Sequence, residues 1–196
     1  MNKYFILVLV FFSLFSFGQN NIADRIDSIL TIQVDEKFGP GITVGIVKDG
    51  KLIYHSSNGL MNLEYNIPFN DSTKFGIASI TKQFTSACIA ILEKQGKLSI
   101  EDDVRKTIPE LVFYGDTIKI KHLLSHTSGI RNHNVLLDLS GFDYEHQGYT
   151  NKMIQSLMFR QKGVNNKPGD KVLYSNTNYV LLALIIERVS GMPINQ

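Results

Sequence analysis

The chain has few of the features that mark several protein classes. Its single cysteine, Cys88, cannot form an intramolecular disulfide, and this small residue in an apolar stretch is predicted to be buried in the core. The 20 basic residues nearly balance the 18 acidic residues and are scattered among them, so the composition favours no nucleic-acid partner. With 43% hydrophobic residues and no internal repeat, the 196-residue chain is predicted to form one globular domain or part of one.

The N-terminal apolar run is too short for a membrane span. It covers 14 residues beginning at Tyr4, whereas a spanning helix needs about 20. The basic residue Lys3 precedes the run, and the small residues Ser16 and Gly18 lie where a signal peptidase cleaves. We therefore expect a signal peptide over residues 1–18, export to the periplasm or the medium, and no stable membrane anchor after cleavage. An uncleaved anchor is the alternative interpretation.

The region before residue 77 is predicted to contain a helix and a β-hairpin. Apolar residues recur at helical spacing over residues 21–36, which indicates an amphipathic helix. Two β-rich runs follow, Ile42–Val47 and Leu52–Ser56, and the Asp-Gly pair between them favours a tight hairpin turn. Residues 66–76 are expected to form a turn-rich connector.

The remainder of the chain is predicted to be mainly helical. Apolar residues keep helical spacing from Ser79 to Gly96, and a short helix is expected within residues 117–130. A strongly apolar helix is predicted from Tyr179 to Val189, with Gly191 as its C-cap. Residues 141–148 show no periodicity and are expected to form a loop.

Ser79 and Lys82 stand three residues apart at the start of a predicted helix. Residues at this spacing share a helix face, so the Lys82 amine can reach the Ser79 hydroxyl. A serine needs a nearby proton acceptor to act as a nucleophile, and the first helical turn adds a free backbone N–H. Lys82 either loses its proton through burial or stays charged and lowers the pKa of a neighbouring tyrosine. Taken alone, the pair is also compatible with an N-cap serine and a solvated lysine.

Three blocks of the sequence follow one another along the chain: Ala78–Val104 with Ser-x-x-Lys, Ile120–Ile130, and Pro168–Gly191 with Tyr-Ser-Asn. In content and order they resemble the serine β-lactamase-like family, in its class C β-lactamase and D-alanyl-D-alanine carboxypeptidase branch. The resemblance runs from about Ile22 to the end of the chain. It implies an α+β, β-lactamase/transpeptidase-like domain over residues 19–196, in which the N-terminal helix and β-hairpin belong to an antiparallel sheet beside a helical region.

The resemblance implies roles for four residues. Ser79 would attack a carbonyl, and Lys82 and Tyr174 would act as general base and then general acid. Asn176 would bind the substrate amide or position Lys82. A second Tyr-x-Asn match begins at Tyr149, but it lacks the flanking Pro-Gly turn and apolar helix and is expected to be a loop aromatic. The implied partner is a small-molecule or peptide substrate, with no cofactor, and the sequence leaves the oligomeric state open.

The third motif of the family, Lys-Thr-Gly or His-x-Gly on a strand after the Tyr-Ser-Asn block, has no counterpart in that place. The match at His146 precedes Tyr174 and is interpreted as coincidental. The C-terminal sheet strands of the family fold are also absent from this chain, so we expect an incomplete domain. The alternative to an active hydrolase is therefore an inactive fragment or degenerate domain that at most binds cell-wall peptides.

Other kinds of site receive little support from the sequence. His122 and His126 are four residues apart, a spacing that metal ligands can use, but both fall inside a family block that contains no metal, so no metal site is expected. Neither a Gly-x-Ser-x-Gly motif nor a phosphate-binding loop occurs. The expected function is that of an exported serine hydrolase that forms an acyl-enzyme with a β-lactam, a D-alanyl peptide or a small ester.

Overall fold

The computed structural model describes residues 22–33, 39–143 and 146–196. The chain divides into two compact units, one ending at Gly76 and the other extending from Ile77 to Gln196. The predicted signal peptide lies outside the described residues. Among the residues that are described, no helix is long and apolar enough to cross a membrane.

The N-terminal unit contains the predicted helix and β-hairpin. Helix α1 spans Ile22–Gln33, and strands β1 (Ile42–Lys48) and β2 (Lys51–Asn58) pair in antiparallel orientation. Asp49 and Gly50 both have positive φ angles, 51° and 73°, which is the backbone geometry that a two-residue hairpin turn favours. The turn chemistry therefore explains the hairpin, and both strands extend slightly beyond the predicted ends.

A second, shorter pair of strands follows the hairpin. Strand β3 (Leu60–Asn62) pairs in antiparallel orientation with β4 (Ile67–Pro68), and each sheet within the described ranges has two strands. The predicted turn-rich connector over residues 66–76 therefore contains a short strand, β4, that was not predicted. A two-residue strand is too short to show the alternation of apolar and polar residues by which strands are recognised.

The C-terminal unit consists of helices and turns in the part of the chain that the structure describes. The helices in chain order are α2 (Thr81–Lys94), α3 (Ile120–Leu124), α4 (His133–Leu139), α5 (Asn151–Phe159) and α6 (Asn176–Ser190), with 3₁₀ turns at Ala78–Ile80 and Val104–Lys106. The predictions of α2, α3 and α6 are confirmed, whereas α4 and α5 were not predicted. Helix α6 begins three residues earlier than expected, which places Asn176 in its first turn.

Helix α6 is the centre of the hydrophobic core. Leu181, Leu182 and Ile185 are fully buried, and the helix packs against α2, α3, α4 and α5. A nearly continuous apolar run is typical of a helix surrounded by others. The left-handed Gly191, with φ of 74°, ends α6 as predicted. Since burying each such side chain contributes about 1.5–3 kcal/mol, the core holds the start of α6 firmly.

Helix α2 buries only part of the apolar surface from which it was predicted. Ile89 and Leu92 are buried, whereas Phe84 and Ile91 are more than half exposed. Cys88 is only partly buried and packs at the margin of the core. The prediction of a buried cysteine is therefore wrong, because the α2 face that carries Cys88 is not fully covered.

Candidate active site

Ser79 lies where the first 3₁₀ turn passes into α2. The preceding residue, Ala78, has a φ of 45°, a left-handed conformation that costs an alanine roughly 1–2 kcal/mol. Strained backbone of this kind is concentrated at functional sites. Ser79 itself is exposed. The local chain path therefore places an accessible hydroxyl at the positive end of a helix, where backbone N–H groups lack intrahelical partners.

Two side chains meet Ser79, and a third joins them through Lys82. Its Oγ accepts a hydrogen bond from Lys82 Nζ at 3.1 Å and lies 2.9 Å from the hydroxyl oxygen of Tyr174. Lys82 Nζ also donates to Asn176 Oδ1 at 2.9 Å. The four residues singled out in the sequence thus form one hydrogen-bonded cluster, assembled from the start of α2 and the segment that enters α6.

The electrostatics of the cluster act chiefly on Tyr174. Hydrogen bonding to Lys82 lowers the pKa of the Tyr174 phenol most strongly, and hydrogen bonding to Ser79 lowers it further, whereas desolvation opposes both. Lys82 Nζ lies 5.2 Å from the centre of the Tyr174 ring. A cation at this distance favours the phenolate form of the tyrosine.

Two asparagines of the α4 segment orient Asn176. Asn132 is the N-cap of α4, and its Oδ1 accepts the backbone N–H of Asn176 at 3.3 Å. Asn134 Oδ1 accepts from Asn176 Nδ2 at 2.8 Å, so the carbonyl end of the Asn176 side chain faces Lys82. Of the two roles predicted for Asn176, this geometry matches the positioning of Lys82. The asparagines were missed because α4 was not predicted, although an Asn at the start of a helix is a known N-cap signal.

An open groove of about 540 Å³ lies beside Ser79. Lys82, Asn176 and Tyr149 are among its lining residues. Tyr149 lies in the loop before α5, as expected, and packs edge to face against His133 with ring centroids 5.6 Å apart. The first Tyr-x-Asn match therefore contributes to the groove wall, while Tyr174 of the second match is the tyrosine at Ser79.

The histidines considered as metal ligands accept hydrogen bonds from the backbone. His122 Nδ1 accepts the N–H of Lys119 at 3.2 Å, and His126 Nδ1 accepts the N–H of Ser175 at 3.2 Å. Within the described ranges, no group of three or more His, Cys, Asp or Glu residues is arranged to hold a metal ion. His146 lies in an exposed loop, where its Nδ1 is 2.7 Å from a carboxylate oxygen of Asp143.

The family relationship extends over most of the chain. A family model described as Beta-lactamase matches residues 26–196. This chain belongs to the β-lactamase family. Family membership and the observed elements confirm the predicted β-lactamase/transpeptidase-like fold, with helices and small antiparallel sheets. The family comprises serine hydrolases, including β-lactamases and penicillin-binding proteins.

Several known proteins are similar to this β-lactamase family chain. Protein flp of Staphylococcus aureus strain MRSA252 is 33% identical over 177 residues, which cover 87% of this chain and 34% of the relative. Penicillin-binding protein 4* of Bacillus subtilis strain 168 is 35% identical over 150 residues, which cover 76% of this chain and 33% of the relative. The octameric penicillin-binding protein homologue from Pyrococcus abyssi superimposes with a TM-score of 0.75 at 34% identity, over 89% of this chain and 40% of that one. The chain thus spans about a third of the length of these curated relatives.

Proposed function

We propose that this chain is a serine hydrolase that forms an acyl-enzyme on Ser79. The observation that carries the proposal is the position of Ser79 Oγ, within hydrogen-bond distance of both Lys82 Nζ and the Tyr174 hydroxyl. A lysine ammonium has no lone pair, so Lys82 donates to Oγ and leaves the Ser79 proton to point toward Tyr174. A serine with an adjacent proton acceptor is the arrangement that nucleophilic catalysis requires.

Tyr174 acts first as the general base. Its phenolate takes the Ser79 proton while Oγ bonds to the substrate carbonyl carbon, and the backbone N–H of Ser79 stabilises the oxyanion. The tetrahedral intermediate then collapses, and the Tyr174 phenol gives the proton to the departing amine or alcohol. A water that loses its proton to Tyr174 attacks the acyl-enzyme ester. The Tyr174 phenol then returns that proton to the departing Ser79 Oγ, which releases the acid and restores both the Ser79 hydroxyl and the phenolate. Lys82 stays charged throughout, held by Asn176, and stabilises the phenolate.

The proposed substrate is an amide or ester of a carboxylic acid: a β-lactam, a D-alanyl peptide or a small ester. Similarity to proteins named as penicillin-binding proteins supports β-lactams as candidates. The groove of about 540 Å³ at Ser79 is within the usual range for small-molecule sites, about 300–1,000 Å³.

Intact-mass measurement tests the proposal directly. The chain beginning near Gln19 is incubated with a fluorophosphonate and, separately, with a penicillin, and we expect one covalent adduct per chain. Ser79→Ala should form none. Ser190→Ala is the matched control, because it removes a hydroxyl at the opposite end of α6 from Asn176, where Oγ donates to the carbonyl oxygen of Met192, and it should leave labelling unchanged. A correctly folded parent chain that gains no mass with either reagent would contradict the proposal and support the inactive, peptide-binding alternative.

We also propose that the protein is exported. The support is the run of 14 apolar residues after Lys3, with the small residues Ser16 and Gly18 at its C-terminal end. Expression of the whole chain in a bacterial host should yield a mature form outside the cytoplasm whose N-terminus lies near Gln19. Recovery of only the uncleaved chain in the cytoplasm would contradict export.

A further inference from the structure

The imidazole ring of His126 is in contact with two tyrosine rings of the C-terminal unit. Its centroid is 4.4 Å from that of Tyr174 and 5.3 Å from that of Tyr179, with interplanar angles of 34° and 35°. Tyr179 is itself held, since its hydroxyl donates to the carbonyl oxygen of Leu124 at 3.2 Å. His126 therefore packs against both the Tyr174 ring and a second tyrosine that is itself held in place.

His126 also bonds to the backbone on both sides of Tyr174. The N–H of Leu173 donates to the His126 carbonyl oxygen at 2.8 Å. The N–H of Ser175 donates to His126 Nδ1 at 3.2 Å. The chain immediately before and after Tyr174 is thus attached to a single residue, which restricts the backbone from which the phenol extends.

The hydrogen bonds assign the tautomer of His126. Asn178 Oδ1 accepts from the Ser128 hydroxyl at 2.7 Å, so the NH₂ end of the Asn178 side chain faces His126 Nδ1, 3.3 Å away. Nδ1 therefore receives two donors, Asn178 Nδ2 and the Ser175 N–H, and must carry a lone pair. The ring is neutral, with its proton on Nε2. Desolvation and the charge of Lys82 both lower the pKa of His126, which is consistent with this state.

The loop that carries His126 follows a fixed path. His126 has a φ of 57°, in the left-handed region. Thr127 accepts the N–H of Gly169 at 2.8 Å, and Gly129 accepts the N–H of Asn165 at 2.8 Å. A Cβ atom at Gly129 would lie 2.0 Å from the carbonyl oxygen of Asn166, so the two backbones are in close contact. The loop is therefore rigid enough to hold another residue in place.

We propose that His126 is a positioning residue for Tyr174. Its neutral ring and the Nδ1 lone pair hold the phenol where it meets both Ser79 and Lys82. The inference rests on the proposed function only in giving Tyr174 a role in proton transfer. The four-residue spacing of His122 and His126 is one that metal ligands can use, whereas the contacts of His126 connect it to Tyr174, the proposed general base.

The first test follows the titration of Tyr174 and needs no turnover. Protein labelled with ¹³C at the tyrosine Cζ is titrated by NMR, and the Tyr174 signal is assigned with Tyr174→Phe. His126→Phe keeps an aromatic ring beside Tyr174 but removes the Nδ1 acceptor. The Tyr174 phenol should therefore move away from Lys82, and its titration midpoint should rise toward the ordinary value of about 10. His126→Asn keeps an acceptor and tolerates the left-handed backbone, and should stay close to the parent.

His122→Phe is the matched control for this experiment. His122 also accepts a backbone N–H through Nδ1, from Lys119 at 3.2 Å. Its substitution should leave the Tyr174 midpoint unchanged. Equal shifts in the His122 and His126 variants, or no shift in a folded His126→Phe protein, would overturn the inference.

Two further measurements separate this inference from the proposed function. Long-range ¹H–¹⁵N spectra of the parent should show an unprotonated Nδ1 on His126, and a proton on that atom would refute the proposal whether or not any variant folds.

With p-nitrophenyl acetate, His126→Phe should lower kcat about tenfold or more while KM changes little, because displacing a catalytic group by about 1 Å can cost up to about 10²-fold. A parent chain inert toward fluorophosphonate would refute the proposed function, and the two NMR tests would still decide the role of His126.

Discussion

Tyr174 combines an accessible phenol with a lowered pKa. A free tyrosine loses its proton near pH 10, so at neutral pH it is a poor base unless its surroundings favour the phenolate. Hydrogen bonding to Lys82, and then to Ser79, provides such surroundings. The side chain remains about half exposed, so a substrate in the adjacent groove can reach the same oxygen. Tyr174 is therefore the residue at which the proposed chemistry depends most directly on pH.

Tyr174→Phe should lower kcat for ester hydrolysis by about 10²- to 10⁴-fold, because the variant lacks the oxygen that transfers the proton. The phenolate is the active base, so the kcat of the parent should rise as the pH rises through the lowered pKa of Tyr174 and level off above it. The variant should lose this dependence. Measuring kcat for ester hydrolysis as a function of pH, for the parent and the variant, checks the prediction. A variant with the parent's rate and the same pH profile would exclude Tyr174 as the base.

The helices differ in how far the sequence revealed them. Helix α6 has a long apolar run and a terminal glycine, and its prediction was confirmed. Helix α5 carries weaker signals: Thr150 caps it by accepting the N–H of Met153, and Ile154 and Met158 are buried four residues apart. Its nine residues show too few turns for periodicity to stand out from the surrounding loop. Helix α4 is shorter still. It packs against α5 and α6, and such contacts between distant parts of the chain cannot be recognised from the local sequence.

The same distinction applies to the candidate site. Ser79 and Lys82 could be paired from their spacing alone, and the flanking turn and helix distinguished Tyr174 from Tyr149. The contacts of Asn176 with the α4 segment span 42 and 44 residues of sequence. No local pattern indicates such pairings, since they depend on how the core aligns α4 with the start of α6. The stacking of His126 on Tyr174 was missed for the same reason.

At the scale of the whole molecule, three histidines of the C-terminal unit couple its stability to pH. Desolvation is the largest cause that lowers the pKa of His122, His126 and His133 below the ordinary value of 6.5, and nearby lysine charges add to it. His133 is almost completely buried, with a relative exposure of 3%. The folded state therefore favours the neutral form of all three rings. Unfolding restores ordinary pKa values, so at mildly acidic pH the unfolded chain binds more protons than the folded chain.

The contribution of these histidines to the free energy of unfolding should therefore be complete above about pH 7 and decrease as the pH falls below 6.5, through their lowered pKa values. Urea unfolding at pH 8, 7, 6 and 5, followed by circular dichroism, measures this change. The carboxylate of Glu101 affects stability in a lower pH range than the histidines. Hydrogen bonds from Lys121 and Lys119 lower its pKa from 4.5 to about 2, so its contribution to the free energy of unfolding is lost only below pH 4.5. His133→Gln should reduce the decrease between pH 7 and 5. Equal unfolding free energies at pH 7 and pH 5 in the parent would show that the histidines do not carry this coupling.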